Sequence, residues 1–203
     1  MVKRSNTWNI VPDKNNDPIS DLQDNSGNSR DIVGNSTYPD FYNYYDGTDI
    51  YFRMRVSASP LQTISNFSTF SWGLLIDSNQ NDSHYEWLVL LDGINNPDRI
   101  RVGQKTNINN PGVYTVAADT FYTITGTISA NAVSPSFGVN DHLLDIKISK
   151  SEFTQITGID QNTRIRYFIG SSSSSDSINY DTTATSYTGN FSSFVNINGV
   201  KCD

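Results

Sequence analysis

Cysteine is nearly absent: Cys202 is the only one in 203 residues, so no disulfide can form within the chain. Glutamate is almost as scarce. Of 21 acidic residues only Glu86 and Glu152 are glutamates, and an acidic set made of aspartate points to loops and turns, because glutamate is the acid that helices accept. Histidine occurs twice, at His84 and His142. Each stands alone, and no Gly-x-Ser-x-Gly elbow surrounds a serine, so nucleophilic hydrolysis lacks its local signature. Zinc clusters, phosphate-binding loops and dinucleotide-binding glycine patterns are missing too. A glycosidase would need two facing carboxylates, which spacing alone cannot reveal among so many aspartates. No enzyme is expected. Lys and Arg number 14, leaving a net charge of −7, which removes the basic footprint that nucleic acid or anionic lipid requires. No apolar run approaches the ~20 residues that span a bilayer. The start, Met1 to Asn6, carries positive charge without an apolar stretch behind it, so no signal peptide is visible. An outer location would then need a leader already removed, or another route such as assembly onto a spore inside a mother cell.

What is present is aromatic and neutral-polar. Hydrophobic residues reach only 36%, but 11 Tyr, 10 Phe and 3 Trp can supply most of a buried core. Asn, Ser, Thr and Asp carry most of the polarity and favour turns. The clearest local pattern is Phe41 to Tyr45, then Asp46-Gly47, then Ile50 to Val56. Asp-Gly supplies the positive φ angles of a tight hairpin. On the second strand Ile50, Phe52, Met54 and Val56 face one way, and Tyr51, Arg53 and Arg55 the other. Further strands are predicted at 70–76, 85–91, 99–103, 121–128, 143–148 and 164–169, with one helical turn at Ser151-Glu152-Phe153 capped by Ser151. The Ser171–Ser175 run reads as a solvated loop. The expected fold is all-β: one domain over 1–203, a two-sheet antiparallel β-sandwich of jelly-roll type, with an Asp/Asn-rich N-terminal arm over 1–30 that Trp8 docks onto the body.

Two loops carry calcium-like spacing. Asp13, Asn15, Asp17, Asp21 and Asp24 fall at positions 1, 3, 5, 9 and 12 of a twelve-residue loop, with the Ile19 carbonyl at position 7. Calcium takes about six to eight oxygens, and such spacing folds short oxygen side chains around one point. Pro18 replaces the usual glycine and no helices flank the loop. Asp77, Asn79 and Asn81 form a second candidate between two strands, with Glu86 just beyond. Both loops also read as plain turns that need no ion. Three Arg-x-Arg pairs, Arg53/Arg55, Arg99/Arg101 and Arg164/Arg166, each place two guanidinium groups on one face of a strand. If the three strands shared a sheet, the patch would suit sulfate, carboxylate or an acidic glycan. Otherwise the arginines would pair with strand acids such as Glu86 and Asp145. Tyr38, Phe41, Tyr42, Tyr44, Tyr45 and Tyr51 are dense enough for a sugar-stacking platform or a protein interface. Cys202 is either an inert tail thiol or an intermolecular cross-link.

Several segments carry a resemblance together: Arg30-Asp31-Ile32-Val33-Gly34 through Tyr38-Pro39, the tyrosine-rich hairpin through Tyr51-Phe52-Arg53-Met54-Arg55-Val56, Trp72-Gly73-Leu74-Leu75-Ile76-Asp77, Tyr85-Glu86-Trp87, Leu144-Asp145-Ile146 and Arg164 through Ser172. Over most of residues 30–180 the series resembles bacterial surface and secreted β-sandwich modules, similar in outline to DOMON-like and family-nine carbohydrate-binding modules. The resemblance implies a non-enzymatic ectodomain that sometimes holds calcium in Asp/Asn loops and sometimes presents a sugar site. Two roles follow as expectations: a structural or attachment component of a bacterial outer surface, such as a spore surface or appendage anchor, that self-associates or binds a protein partner; or a calcium-dependent carbohydrate-binding module.

Overall fold

A computed structural model describes residues 8–13, 15, 17–21, 28–81, 84–107, 115–182, 192–198 and 202. Among the described residues the chain is all-β and antiparallel, with one short helix. In order its elements are β1 (Asn9–Ile10), β2 (Phe41–Tyr45), β3 (Asp49–Val56), β4 (Leu61–Thr63), β5 (Asn66–Phe67), β6 (Ser71–Asp77), β7 (Trp87–Asp92), β8 (Arg99–Gln104), β9 (Thr120–Thr123), β10 (Gly126–Ala132), β11 (His142–Ser149), α1 (Lys150–Thr157) and β12 (Arg166–Ser172). One five-stranded sheet runs β1-β2-β3-β11-β10, a second runs β12-β6-β7-β8-β9, and β4 and β5 form a small ribbon.

The β2–β3 hairpin forms as its turn chemistry dictates. Gly47 takes φ +101°, and the Asp46 carboxylate accepts the Thr48 and Asp49 N–H groups at 2.9 Å each. Pairing of Phe41 with Met54 and Tyr45 with Ile50 turns Ile50, Phe52, Met54 and Val56 into the core. There the Phe41 and Phe52 rings stack at 6.4 Å, and Tyr167 of β12 meets both edge-on at 5.5 and 5.9 Å. Side chains of both large sheets thus belong to one apolar cluster. β6 and β7 are buried on both faces; Leu75, Leu88, Leu90 and Phe168 point the other way, into a smaller cluster with Tyr85 and Ile178. Covering on both sides explains why these strands read as continuous apolar runs instead of alternating.

Residues 28–33 tie the sheets together through the backbone. The Ser29 carbonyl accepts the Trp72 indole N–H at 2.6 Å and the Arg30 carbonyl accepts the Ser171 hydroxyl at 2.6 Å, both from the second sheet. Val33 N–H donates to the Arg55 carbonyl and Ser57 N–H to the Asp31 carbonyl, on the first. The N-terminal arm docks through β1, which pairs with β2, and through Val11 and Ile19 in the core.

Three local expectations are corrected. The strand expected over 121–128 is two strands in different sheets: β9 ends the second, β10 the first, with Ile124 and Thr125 crossing between. Gly126 permits the crossing, since a Cβ there would lie 2.2 Å from the Lys147 carbonyl oxygen. The helix is capped by Ser149, not Ser151: β11 delivers Ser149 in extended conformation, its hydroxyl accepts the Glu152 N–H, and the helix runs on to Gly158 in the left-handed region. Ser171 and Ser172 are not a solvated loop. They complete β12 and are fully buried, their hydroxyls satisfied by the Arg30 carbonyl and Asn179.

Candidate functional site

The outer face of β2, β3 and β11 gathers the ring-rich residues. β1 lays Trp8 against Tyr44 and Tyr51, with ring centroids 6.1 and 6.3 Å away, and the two tyrosines lie 5.5 Å apart. The Arg53 guanidinium sits 4.0 Å over the Trp8 ring and grips Asp145 with two bonds of 2.6 and 2.7 Å. Such a forked pair fixes the guanidinium plane and leaves the Trp8, Tyr44 and Tyr51 rings half-exposed. The Tyr51 hydroxyl donates to Asp46 at 2.7 Å; burial, then this hydrogen bond and the Asp46 charge, push its pKa upward. Tyr42 is half-buried, and burial raises it as well, against the pull of Arg55. Arg55 is no surface group: it is 3% exposed, donates to the Pro135 carbonyl at 3.0 Å and Asp141 at 3.3 Å, and lies beneath Tyr38 and Phe137.

No six-guanidinium patch exists, because the arginine pairs divide between sheets. Arg53 and Arg55 stand on β3 of the first sheet, Arg99 and Arg101 on β8 and Arg166 on β12 of the second, with Arg164 ahead of that strand. Arg99 and Arg101 both reach the buried Asp92 at 3.4 Å, and Arg101 covers the Phe121 ring at 3.7 Å. The charge-ladder alternative describes them better, with Asp145 as a partner. Glu86 instead takes His84 at 3.0 Å.

In both calcium-spaced loops the first aspartate spends its carboxylate on its own turn. The Asp13 carboxylate accepts the Asn15 and Asp17 N–H groups at 2.8 and 2.9 Å. The Ile19 carbonyl accepts the Asp40 N–H and the Asp21 carbonyl the Gly34 N–H; Asp24 lies outside the described residues. In the second loop Asp77, wholly buried, accepts the Asn79 and Gln80 N–H groups at 3.1 and 2.7 Å and the Arg166 guanidinium, whose Nε is 2.9 Å away. Asn79 donates its side-chain amide to Glu86 at 2.6 Å and accepts the Asn81 N–H at 3.0 Å. Burial raises the Glu86 pKa, while the Ser78 and Asn79 N–H groups and His84 hold it down. Among the described residues no three His, Cys, Asp or Glu side chains form a group able to hold a metal.

Two features escaped the sequence reading. The first is the outer edge of β10. Its seven residues, Gly126 to Ala132, contain no charge and no proline and are mostly exposed. β11 covers one side, and among the described residues no strand pairs with the other. A shallow groove of about 350 Å³ runs beside it, bordered by Asp98, Ile100, Ile124 and Ile128. The second is Asp40, fully buried at the start of β2 with neither carboxylate oxygen hydrogen-bonded. Cys202 is half-buried, its N–H bonded to the Phe194 carbonyl. No protein-family model, no curated protein and no solved structure matches the chain.

Proposed function

We propose that the two large sheets form a β-sandwich of jelly-roll type, and that the chain is a non-enzymatic building block or attachment component of a bacterial outer surface, such as a spore surface or an appendage anchor. It works by adding strands at the β10 edge to a second copy or a partner protein. The observation that carries this reading is β10 itself. An open edge presents a row of unpaired N–H and C=O groups, and proteins that stay monomeric guard such edges with lysine, proline or bulges. β10 has no charged or proline guard, although the chain as a whole carries −7. A neutral edge on an acidic body is where two copies can meet with the least like-charge repulsion, and main-chain bonds then supply the affinity. Cys202 adds an intermolecular lock where the surroundings are oxidising. The resemblance to DOMON-like surface modules agrees with this role.

Sedimentation of the whole chain against Ser129→Lys tests it. Ser129 is exposed at the middle of β10, opposite Asp145, so a lysine there guards the edge without entering the core. The wild type should gain mass with concentration and the variant should stay monomeric. A wild type that remains monomeric, or a variant that associates equally well, refutes the assignment.

A second reading, a glycan-binding module that uses calcium, is favoured by the half-exposed Trp8, Tyr44 and Tyr51 rings beside the fixed Arg53. Rings held this way stack on the apolar faces of sugars. A glycan array with and without calcium decides it: binding that is lost in Tyr44→Ala supports the module, and an array without signal in both conditions removes it.

A further inference from the structure

Burying a carboxylate without hydrogen bonds or a partner charge is among the costliest arrangements a fold can hold. Asp40 comes close to that position: it is 0% exposed and neither side-chain oxygen has a hydrogen bond of normal geometry, so only its own backbone N–H and the charge of Arg55 favour the ionised form. Its cross-strand neighbour Arg55, whose N–H donates to the Asp40 carbonyl at 2.9 Å, sends its guanidinium to Asp141 and Pro135 instead.

Other acids stand around it, from distant parts of the chain. Asp21, in the N-terminal arm, is held by its carbonyl on the Gly34 N–H at 2.7 Å, and the Asp40 N–H is bound in turn to Ile19, two residues before Asp21. Asp181, beyond β12, is 4% exposed and accepts the Ile32 N–H at 2.5 Å. Burial drives the Asp40 pKa far upward and the charges of Asp21 and Asp181 push it further, outweighing the pull of its own backbone N–H and of Arg55. A proton would remove the charge, yet both oxygens would still lack partners.

We propose that Asp40 is the central ligand of a calcium site, shared with the carboxylate of Asp181 or Asp21 and completed by main-chain carbonyl oxygens and water. Because no three acidic or imidazole side chains are already grouped among the described residues, the ion takes two carboxylates and otherwise neutral oxygens, a set suited to a hard cation. Few charged ligands imply weak binding, with Kd on the order of 10⁻⁴–10⁻³ M, the range of extracellular modules. The ion would pin three remote segments together: the arm, the entry to β2 and the stretch after β12. Asp21 belongs to the first loop whose spacing suggested calcium, but the site is not centred on either loop, since Asp13 and Asp77 spend their carboxylates on turns and, for Asp77, on Arg166.

The test is thermal melting of the whole chain in chelator and in calcium chloride, with calorimetric titration of calcium chloride into the folded protein. With calcium about 100-fold above Kd, the wild type should melt about 5–10 °C higher than in chelator. Asp13→Asn should keep that shift, and Asp40→Asn should abolish both the shift and the heat of binding. If Asp40→Asn does not fold, Asp181→Asn combined with Asp21→Asn must abolish them. Absence of a shift and of binding heat in the wild type, retention of the full response in Asp40→Asn or in the double variant, or its loss in Asp13→Asn, each overturns the site. The melt reads the ion whether or not copies associate, so its failure is separate from failure of the edge-pairing role.

Discussion

Phe52 of β3 and Tyr167 of β12 belong to different sheets, yet their rings meet at 5.9 Å and 74°. Each is at most 1% exposed. Replacing either by leucine keeps the site apolar but removes the ring, at about 1–3 kcal/mol per variant. The Tyr167 hydroxyl adds little to that cost, since it faces Asn43 without a hydrogen bond of normal geometry. An edge-on aromatic pair contributes about 0.5–1.5 kcal/mol beyond its buried area. Phe52→Leu with Tyr167→Leu should therefore cost less than the sum of the single variants by that amount. Urea unfolding followed by tryptophan fluorescence measures all four corners of the cycle. Phe41 touches both rings, so the cycle is repeated in Phe41→Leu, where the direct coupling should persist. Coupling within about 0.3 kcal/mol of zero, as for distant independent sites, would mean that the two rings share no core, and the two-layer arrangement would be refuted.

Arg166→Ala should destabilise by about 2–4 kcal/mol, below the 3–5 kcal/mol of a wholly stranded buried charge because Asp77 keeps two N–H donors. Recovery of that loss on adding calcium would contradict the reading of the 77–81 loop as an ion-paired turn. Burial acts to raise the Asp119 pKa, but the Thr106 and Asn107 N–H groups and Lys105 outweigh it and hold the carboxyl well below its usual value. The unfolded chain then takes up this proton first as the medium acidifies. The stabilising contribution is fully present above about pH 4 and is lost as pH falls through the depressed folded value. Asp119→Asn should flatten that acid limb in a series of denaturant melts; an unchanged limb contradicts the assignment.

Local chemistry was legible where a few adjacent residues decide the outcome. Asp46-Gly47 announced its hairpin because the turn needs only a side-chain acceptor and a positive φ. The Arg53–Asp145 pairing was within reach because strand alternation sends both side chains to one face. Long-range packing was hidden. Alternation continues through Phe121 to Ile128, so only Gly126 marks the point where the chain leaves one sheet for the other, and a lone glycine does not tell a change of sheet from a bulge. Ser171 and Ser172 are polar, and only the Arg30 carbonyl and Asn179, from elsewhere in the fold, let them be buried. The loop spacing of Asp13 to Asp24 drew attention to calcium, but spacing cannot tell a carboxylate that caps its own turn from one left for an ion. Asp40 has no sequence signal beyond its place after Pro39; its burial results from three segments far apart in the chain. The neutrality of β10 was readable, whereas its place at the sheet's edge was not.

Amide hydrogen exchange across Gly126–Ala132 at low and high protein concentration tests the edge-pairing role most directly. In an isolated antiparallel edge strand about half of the amides face away from the neighbouring strand and exchange freely. The expected result is that these amides become protected as concentration rises, while those of β7, already inside a sheet, do not change. If the mass of the particle rises and the β10 amides exchange as fast as before, copies meet somewhere else and the proposed role of this edge is wrong.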